Sequence, residues 1–330
     1  MHLFVRPFVL AAAGVAGLLP LGAVAAQSSP ASQFRGDAAH SGVYASAGPA
    51  TFGGLQWRVQ TDGPVRGSPT VSGSTVYVGS SDGTVYAIDV ASGDVKWRRG
   101  VGSPVSSTPA VANGFVYVGG LDGVMHALRA TDGSPAWTVR SGAPVRLQWG
   151  LESGETWTSS PAVAGDVVAF GARDGHVYAV DARSGRTRWR YDTGTRVYSS
   201  PAIAGGTVYV GAQDGHVHAI DLATGTRKWR FATEGTQLKS GDFGFDRTTV
   251  QSSPAIAGGL VYVGARDGWH YAIDANTGAE RWRVDHKVSW VNTSPAVSDG
   301  LVFVGSSDGH FIQAVSATTG VEQWRTPSVN

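Results

Sequence analysis

Short stretches of alternating β-branched and aromatic residues recur along the chain, and each ends in glycine. The first, segment 75–79 (TVYVG), follows Gly73-Ser74 and precedes Asp82-Gly83. Alternation with a period of two predicts half-buried β-strands, and Gly-Ser and Asp-Gly pairs are typical of tight hairpin turns. The sequence is therefore predicted to be all-β.

This pattern belongs to a unit of about 40 residues that occurs six times. Each unit contains a Ser-Pro step, two hydrophobic strands around an Asp-Gly turn, a glycine and a tryptophan. Successive units are 40, 52, 40, 53 and 41 residues apart, as the prolines show: Pro69, Pro109, Pro161, Pro201, Pro254 and Pro295. A repeat of this length with four short strands is typical of a β-propeller blade. We predict a β-propeller of four-stranded antiparallel blades.

The number of blades depends on one additional tryptophan. Trp57 lies 40 residues before Trp97 in a strand-like segment, 55–59, that has no earlier strands of its own unit. Six blades with one extra capping strand is the preferred interpretation. Seven blades, with a partial closing blade built from 31–59, is the alternative.

The third and fourth strands carry a more specific motif, Ala-x-Asp-x-x-x-Gly-x-x-x-Trp. It occurs at Ala87 to Trp97 and again in units 3, 4 and 5, whereas Arg129 and Ser316 replace its Asp in units 2 and 6. The motif matches the PQQ-like (quinoprotein-type) propeller repeat, and segment 34–42 resembles the leader of such proteins. The resemblance covers roughly 33–326 and implies the fold. It leaves function open, because the family includes quinone-dependent dehydrogenases, the outer-membrane assembly factor BamB and sensor domains.

The first 26 residues are typical of a cleavable secretory signal. Arg6 precedes an apolar run from Val9 to Val24, and small residues follow at the cleavage site. A retained membrane anchor is the weaker reading, since Gly14, Gly17 and Pro20 interrupt the run, and no second segment is long enough to span a bilayer. We predict a signal peptide at 1–26, a leader at 27–54 and the propeller at 55–330, in a protein exported to the periplasm, the cell envelope or the medium.

Charge and cysteine content narrow the possible partners. Without the signal peptide the chain has 25 basic and 25 acidic residues, so nucleic acid is not an expected partner. The absence of cysteine excludes disulfides, thiolate metal sites and a lipid-modified N-terminal cysteine. We expect a monomer without membrane insertion.

The connections between units 2 and 3 and between units 4 and 5 are about twice as long as the others. They lie on the propeller face that carries the connections from each outer strand to the next inner strand. Long loops on a rigid scaffold often carry function, so we predict partner binding there, although these loops could simply cover the pore. The candidate residues in the connections and nearby turns are Arg146, Trp149, Trp157, Phe243, Phe245, Trp269 and Trp290.

A second candidate set lies three residues before each unit's proline, where the residue type varies. These side chains are expected to ring the mouth of the central channel: Arg66, Ser106, Thr158, Tyr198, Gln251 and Asn292. We include Arg66, Tyr198, Gln251 and Asn292 among the candidate binding residues, although a solvated rim also needs polar groups. In the dehydrogenases that the chain resembles, the quinone lies over this mouth.

No catalytic or metal-binding signature is present. The chain has no nucleophile elbow, zinc-protease motif, Walker loop or dinucleotide fingerprint. His176, His216 and His310 share one position after an Asp-Gly turn, but they start strands of three separate blades, so they are expected to be exposed turn residues and not a metal cluster.

The predicted function is therefore that of an exported, non-enzymatic propeller that binds a protein or another extended ligand and needs no cofactor. Scaffolding similar to that of BamB is one form of this role, although the missing lipidated cysteine counts against the usual anchored form. The alternative is a small dehydrogenase that binds PQQ with Ca²⁺ over the channel. Its modest length and the absence of adjacent cysteines count against it.

Overall fold

The computed structural model describes residues 32–44, 51, 53–143, 159–238, 246–287 and 289–327. It contains six four-stranded antiparallel sheets in chain order, blades 1 to 6. One 3-10 turn, η1 (Glu234–Gln237), follows blade 4. Within the described ranges, no helix is long and apolar enough to cross a membrane. The six-bladed, all-β prediction is confirmed.

Each blade has an inner strand, a second strand, a third strand and an outer strand, here called A, B, C and D. Their bounds are, for blade 1, β1 (Thr70–Ser72), β2 (Thr75–Gly79), β3 (Thr84–Asp89) and β4 (Val95–Gly100); for blade 2, β5 (Ala110–Ala112), β6 (Phe115–Gly119), β7 (Val124–Arg129) and β8 (Pro135–Arg140); for blade 3, β9 (Ala162–Ala164), β10 (Val167–Gly171), β11 (His176–Asp181) and β12 (Thr187–Asp192); for blade 4, β13 (Ala202–Ala204), β14 (Thr207–Gly211), β15 (His216–Asp221) and β16 (Arg227–Ala232); for blade 5, β17 (Ala255–Ala257), β18 (Leu260–Gly264), β19 (Trp269–Asp274) and β20 (Glu280–Asp285); and for blade 6, β21 (Ala296–Ser298), β22 (Leu301–Gly305), β23 (Ile312–Ser316) and β24 (Glu322–Arg325).

The repeated aspartate and glycine form the turn between strands C and D. In blade 3 the Asp181 carboxylate accepts hydrogen bonds from the backbone N–H groups of Arg183 and Ser184, and Gly185 has a φ of 71°. A carboxylate that caps a turn and a glycine with positive φ are the usual requirements of such a turn. Blade 6 forms the turn with Ser316, whose hydroxyl accepts from the Thr319 N–H at 3.3 Å.

Neighbouring blades are joined by the repeated tryptophan. Its indole lies against the turn glycine of the next blade and donates to a carbonyl of the same turn. These five bonds, of 2.8 to 3.0 Å, are Trp97 to Ala130, Trp137 to Ala182, Trp189 to Leu222, Trp229 to Ala275 and Trp282 to Ala317. The tryptophans are therefore structural side chains that align successive sheets.

A second row of hydrogen bonds joins the blades close to the axis. In blades 1 to 5 the N–H group just before the strand-A proline donates to a hydroxyl at the same position of the next blade, as in Ser160 N to Ser200 Oγ at 2.9 Å and Ser200 N to Ser253 Oγ at 2.9 Å. The Ser-Pro step of the repeat therefore supplies both the acceptor for one blade and the donor for the next.

The additional tryptophan, Trp57, docks on blade 1 in the same way. Its Nε1 donates to the Val90 carbonyl at 2.8 Å, and a Cβ on Gly93 would lie 2.6 Å from its side chain. The segment around it, 55–59, is extended but belongs to no sheet. It is the extra capping segment of the preferred six-bladed interpretation.

Candidate ligand-binding face

The D-to-A connections and the B-to-C turns lie together on one face, which we call the loop face. In blades 1 to 5 the residue after the outer strand donates its N–H to the carbonyl of the Asp-Gly turn glycine, as Val101 does to Gly83 at 2.8 Å. The A-to-B and C-to-D turns form the opposite face, which we call the turn face. Of the predicted site residues, Arg146, Trp149, Trp157, Phe243 and Phe245 fall outside the described residues, as does Thr158.

Arg266 connects three separate segments of the loop face. Its Nη1 lies 3.0 Å from Asp246 Oδ2, and its Nη2 donates to Gln251 Oε1 at 3.2 Å. Its guanidinium carbon lies 4.4 Å from the centre of the Trp290 ring. Carboxylate, amide and indole together hold the guanidinium in one orientation. We call these four residues the Arg266 patch.

The sequence analysis named Gln251 and Trp290 but missed the arginine that joins them. Arg266 directly precedes an Asp-Gly turn, at a position where the other blades have Ser81, Leu121, Arg173, Gln213 and Ser307. The residue type varies there and blade 3 also has arginine, so the sequence carries no signal that singles out Arg266.

Trp269 has a more structural environment than predicted. It is partly buried against the apolar residues between blades 4 and 5, and the Arg283 guanidinium lies 4.6 Å from its ring centre. Arg283 in turn pairs with Glu234 of η1. The ring therefore helps to fix the start of the long connection after blade 4.

Tyr198 lies in a separate cleft between blades 2 and 3. The buried Arg196 donates to its hydroxyl at 3.1 Å. Met125, Phe170 and Val197 also line the cleft, which is partly open to solvent and has an enclosed volume of about 30 Å³. Apolar walls with a few polar groups are typical of small-ligand sites.

The remaining two predicted residues do not join either group. Arg66 is exposed at the start of blade 1. Asn292 is partly buried, and its Oδ1 is a buried atom without a hydrogen-bond partner in the described ranges. The predicted ring of polar residues therefore divides into the Arg266 patch, the Tyr198 cleft and isolated positions.

The leader crosses the inner strands of five blades. The middle N–H of each inner strand donates to it: Val111 to Ser32 O, Val163 to Gln33 Oε1, Ile203 to Ala38 O, Ile256 to Ala39 O and Val297 to Ser41 O. Because the inner strands line the axis, the leader occupies the axis beside blades 2 to 6. A ligand at the mouth would face the leader beneath it. The sequence analysis recognised this leader but not its path.

His40 anchors the leader to blade 5. It is fully buried, and its Nδ1 lies 3.1 Å from the Pro254 carbonyl oxygen, so Nδ1 carries the proton. Burial lowers its pKa to about 4. The neutral ring therefore serves as a structural hydrogen-bond donor at physiological pH.

The histidines that follow the Asp-Gly turns differ in exposure: His310 is exposed as predicted, whereas His176 and His216 are partly buried. His176 and His216 each lie against the aspartate of their own turn, at 3.5 and 3.0 Å. No group of three or more His, Asp or Glu side chains that could hold a metal ion is found in the described ranges. Of the acids nearest the Arg266 patch, Asp246 is paired with Arg266, and Asp267 accepts from the Tyr271 hydroxyl at 2.7 Å.

Comparisons with known proteins agree with this architecture. The family model described as outer membrane protein assembly factor BamB matches residues 41–148, 145–245 and 245–329. The structure of BamB from Moraxella catarrhalis is similar, with 18% identity, a TM-score of 0.67 and coverage of 82% of this chain and 79% of that one. A europium-containing methanol dehydrogenase has 15% identity, a TM-score of 0.61 and coverage of 79% and 68%. No curated protein matches the sequence.

Proposed function

The chain belongs to the family of the outer membrane protein assembly factor BamB, and on this basis we propose that it is an exported, non-enzymatic propeller that binds a protein or another extended ligand on its loop face. One observation carries the proposal. Gln251, Arg266 and Trp290 come from three different segments and form a single patch of side chains that the repeat does not require. Tryptophan and arginine are the residues most enriched where binding energy concentrates.

The turn face supports the same choice by contrast. Blades 1, 3, 4 and 5 repeat one capped turn, in which Asp89, Asp181, Asp221 and Asp274 accept the same backbone hydrogen bonds. A surface that repeats one motif offers little to discriminate one partner from another.

The proposal is tested by recovering partners from the native envelope with wild-type protein and with a Gln251→Ala/Trp290→Ala variant. We expect the double variant to lose at least tenfold of each specific partner, because it removes the amide and the indole that hold Arg266. A Ser92→Ala/Thr277→Ala variant on the turn face is the matched control and should recover the same partners as wild type. Retention by the loop-face variant together with loss by the control would show that the wrong face was chosen.

The alternative function is a PQQ-dependent dehydrogenase. The similar methanol dehydrogenase supports its fold only. Asp246 and Asp267, at and beside the Arg266 patch, already have partners, so they do not fit a free carboxylate set for Ca²⁺. Incubation with PQQ and Ca²⁺ should give no bound chromophore after gel filtration and no reduction of an electron-accepting dye. Turnover of the dye with an alcohol would establish the alternative.

Location in the periplasm or cell envelope is part of the proposal. We expect export to remove residues 1–26, leaving Gln27 as the first residue of the mature protein. Intact-mass analysis of the periplasmic and membrane fractions measures this directly. Recovery of a chain that still begins at Met1 in the cytoplasm would contradict it.

A further inference from the structure

The docking tryptophan of blade 6 differs from all the others. Trp324 stands at the repeat position of Trp189, yet it is 44% exposed, whereas Trp189 is 8% exposed. Its indole N–H has no carbonyl acceptor in the part of the chain that the structure describes. The turn glycine of blade 1, where a closing blade would dock, already holds Trp57.

Near the axis, blades 6 and 1 also lack the contact that joins other neighbouring blades. At four of the other five joints a valine packs onto the glycine that ends strand B, as Val250 does on Gly211 and Val291 on Gly264. The corresponding valine of blade 1, Val65, is 48% exposed. The corresponding glycine of blade 6, Gly305, would meet only Thr293 of its own blade.

Two further apolar side chains are exposed although their counterparts in other blades are buried. Ile312 of blade 6 is 53% exposed, although its counterparts Val85, Val177 and Val217 are fully buried. Val71 of blade 1 is 54% exposed, although its counterparts in the other five blades are buried. Four apolar side chains of blades 6 and 1, the two ends of the series of blades, thus lie open, and we call these positions the seam.

The hydrogen-bond rows stop at the seam as well. The row near the axis runs from Ser68 of blade 1 to Ser294 of blade 6 and makes no sixth bond back to Ser68 within the described residues. The leader accepts from the inner strands of blades 2 to 6 but not from Val71. Five joints follow one rule, and the sixth position of that rule is open.

The five sealed joints define what fits against blade 6. Each presents a β-hairpin turn whose glycine lies under the indole and whose carbonyl accepts its N–H. A second copy of this chain does not offer such a turn, because all six of its glycine positions are occupied: Gly93 by Trp57, Gly133 by Trp97, Gly185 by Trp137, Gly225 by Trp189, Gly278 by Trp229 and Gly320 by Trp282.

Charge imposes little further selection at the seam. Arg325, beside Trp324, is paired with Glu322 at 2.7 Å and lies 4.2 Å from the Phe311 ring centre. The pair leaves the exposed indole in a neutral setting, so recognition there depends on shape, apolar area and one backbone carbonyl. The lone segment 55–59 shows that a partner need not be a complete blade to cover a blade face.

We propose that the seam is a docking site for a β-hairpin of another protein, which places a turn glycine under Trp324 and accepts its indole N–H through a backbone carbonyl. An apolar residue of the hairpin fills the notch at Gly305. This surface is separate from the Arg266 patch, so it can fail while the proposed loop-face function stands.

The test uses the hairpin of blade 1, on which the separate segment around Trp57 docks. A synthetic peptide with the sequence of residues 84–100, held closed by a terminal disulfide, contains Gly93 and the Val90 carbonyl that Trp57 uses. Closure is needed because isolated hairpins are only marginally stable in water. Its affinity for the mature protein is measured by calorimetry, and 5-fluorotryptophan NMR, assigned with Trp324→Phe, reports where it binds.

We expect saturable binding that weakens at least tenfold with Trp324→Ala and with a Gly93→Val peptide, and a shift of the Trp324 resonance. Val95→Ser, on the outer strand of blade 1, is the matched protein control and should bind as wild type. Equal binding to Trp324→Ala, or no binding at concentrations of about 1 mM, would overturn the proposal. A dimer in sedimentation that Trp324→Ala abolishes would assign the seam to a second copy instead and would equally overturn it.

Discussion

The repeated tryptophan contributes differently to the stability of the fold in different blades, because its surroundings differ. Trp189 fills the space against Gly225 and donates to the Leu222 carbonyl at 2.8 Å. Trp324 occupies the same repeat position with neither contact. Burial of an indole stabilises through the apolar area removed from water, so stability differences should follow burial and not motif membership.

We therefore predict that Trp189→Ala lowers the free energy of unfolding by ~3–5 kcal/mol, because it leaves a cavity between two blades. Trp324→Ala should lower it by only about 1–2 kcal/mol, because 44% of the side chain is already exposed and what remains buried packs against Phe303. Urea denaturation of both variants measures the difference. Equal losses would show that the exposed tryptophan is as important for stability as the docked one.

Three buried histidines give the fold a pH dependence. Burial lowers the pKa of His40 to about 4, of His270 to about 3 and of His286 to about 4, from 6.5. Between these values the unfolded chain binds protons that the folded chain does not. Stability is therefore complete above pH 6.5 and falls as the pH drops toward 4, by about 1.4 kcal/mol per pH unit for each group.

His270 provides the test, because valine stands at its position in blades 1, 3 and 4 and neither of its ring nitrogens has a partner within the described ranges. His270→Val should leave stability at pH 7.5 unchanged or higher, since no hydrogen bond is lost. The loss of stability between pH 7.5 and 5 should shrink by roughly 2 kcal/mol. Denaturation curves at both pH values measure this, and an unchanged pH dependence would contradict the assignment.

The hairpin between strands C and D is the element that joins one blade to the previous one. Its position requires glycine for two separate reasons. It adopts a positive φ, 75° at Gly225, and it leaves room for the docked indole, since a Cβ there would lie 2.6 Å from Trp189. Gly73, in an A-to-B turn, is required only for its positive φ, because nothing lies within 4 Å of its Cβ position.

Comparison of Gly225→Ala with Gly73→Ala separates the cost of the positive φ from the cost of displacing the indole. Both variants should lose roughly 1–2 kcal/mol for placing alanine at positive φ. Gly225→Ala should lose about 1–3 kcal/mol more, because the methyl group displaces the indole. Calorimetric melting of the pair measures the difference, and equal melting temperatures would mean that the joint adapts to the methyl group without cost.

At the scale of the whole molecule, the leader ties together blades that are distant in sequence. Gln33 exchanges two hydrogen bonds with the backbone of Val163, at 2.7 and 3.2 Å, although 130 residues separate them. One segment, which forms turns and bends over residues 34–39, thus satisfies inner-strand N–H groups of five blades, which would otherwise be left without protein acceptors at the axis.

Removal of residues 27–44 should therefore affect five blades at once. We expect a lower melting temperature and faster hydrogen exchange at Val163, Ile203 and Ile256, with little change at outer-strand amides such as Arg190. Hydrogen exchange followed by mass spectrometry resolves these regions. Unchanged protection of the inner strands would contradict the assigned path of the leader.

The sequence by itself determined the four-stranded blades, the hairpin turns and the role of Trp97 and its counterparts, because these features depend on contacts that recur within about 40 residues and leave a repeated pattern. It left six or seven blades open, and the structure has six. Only the tertiary structure decided the path of the leader, the convergence of Gln251, Arg266 and Trp290, and the exposure of Trp324. Each depends on contacts between segments that are distant in sequence, and a local motif does not specify which segment lies beside it in the folded protein. Trp189 and Trp324 have the same place in the repeat, and only the presence or absence of an adjoining turn glycine makes one a core residue and the other a surface.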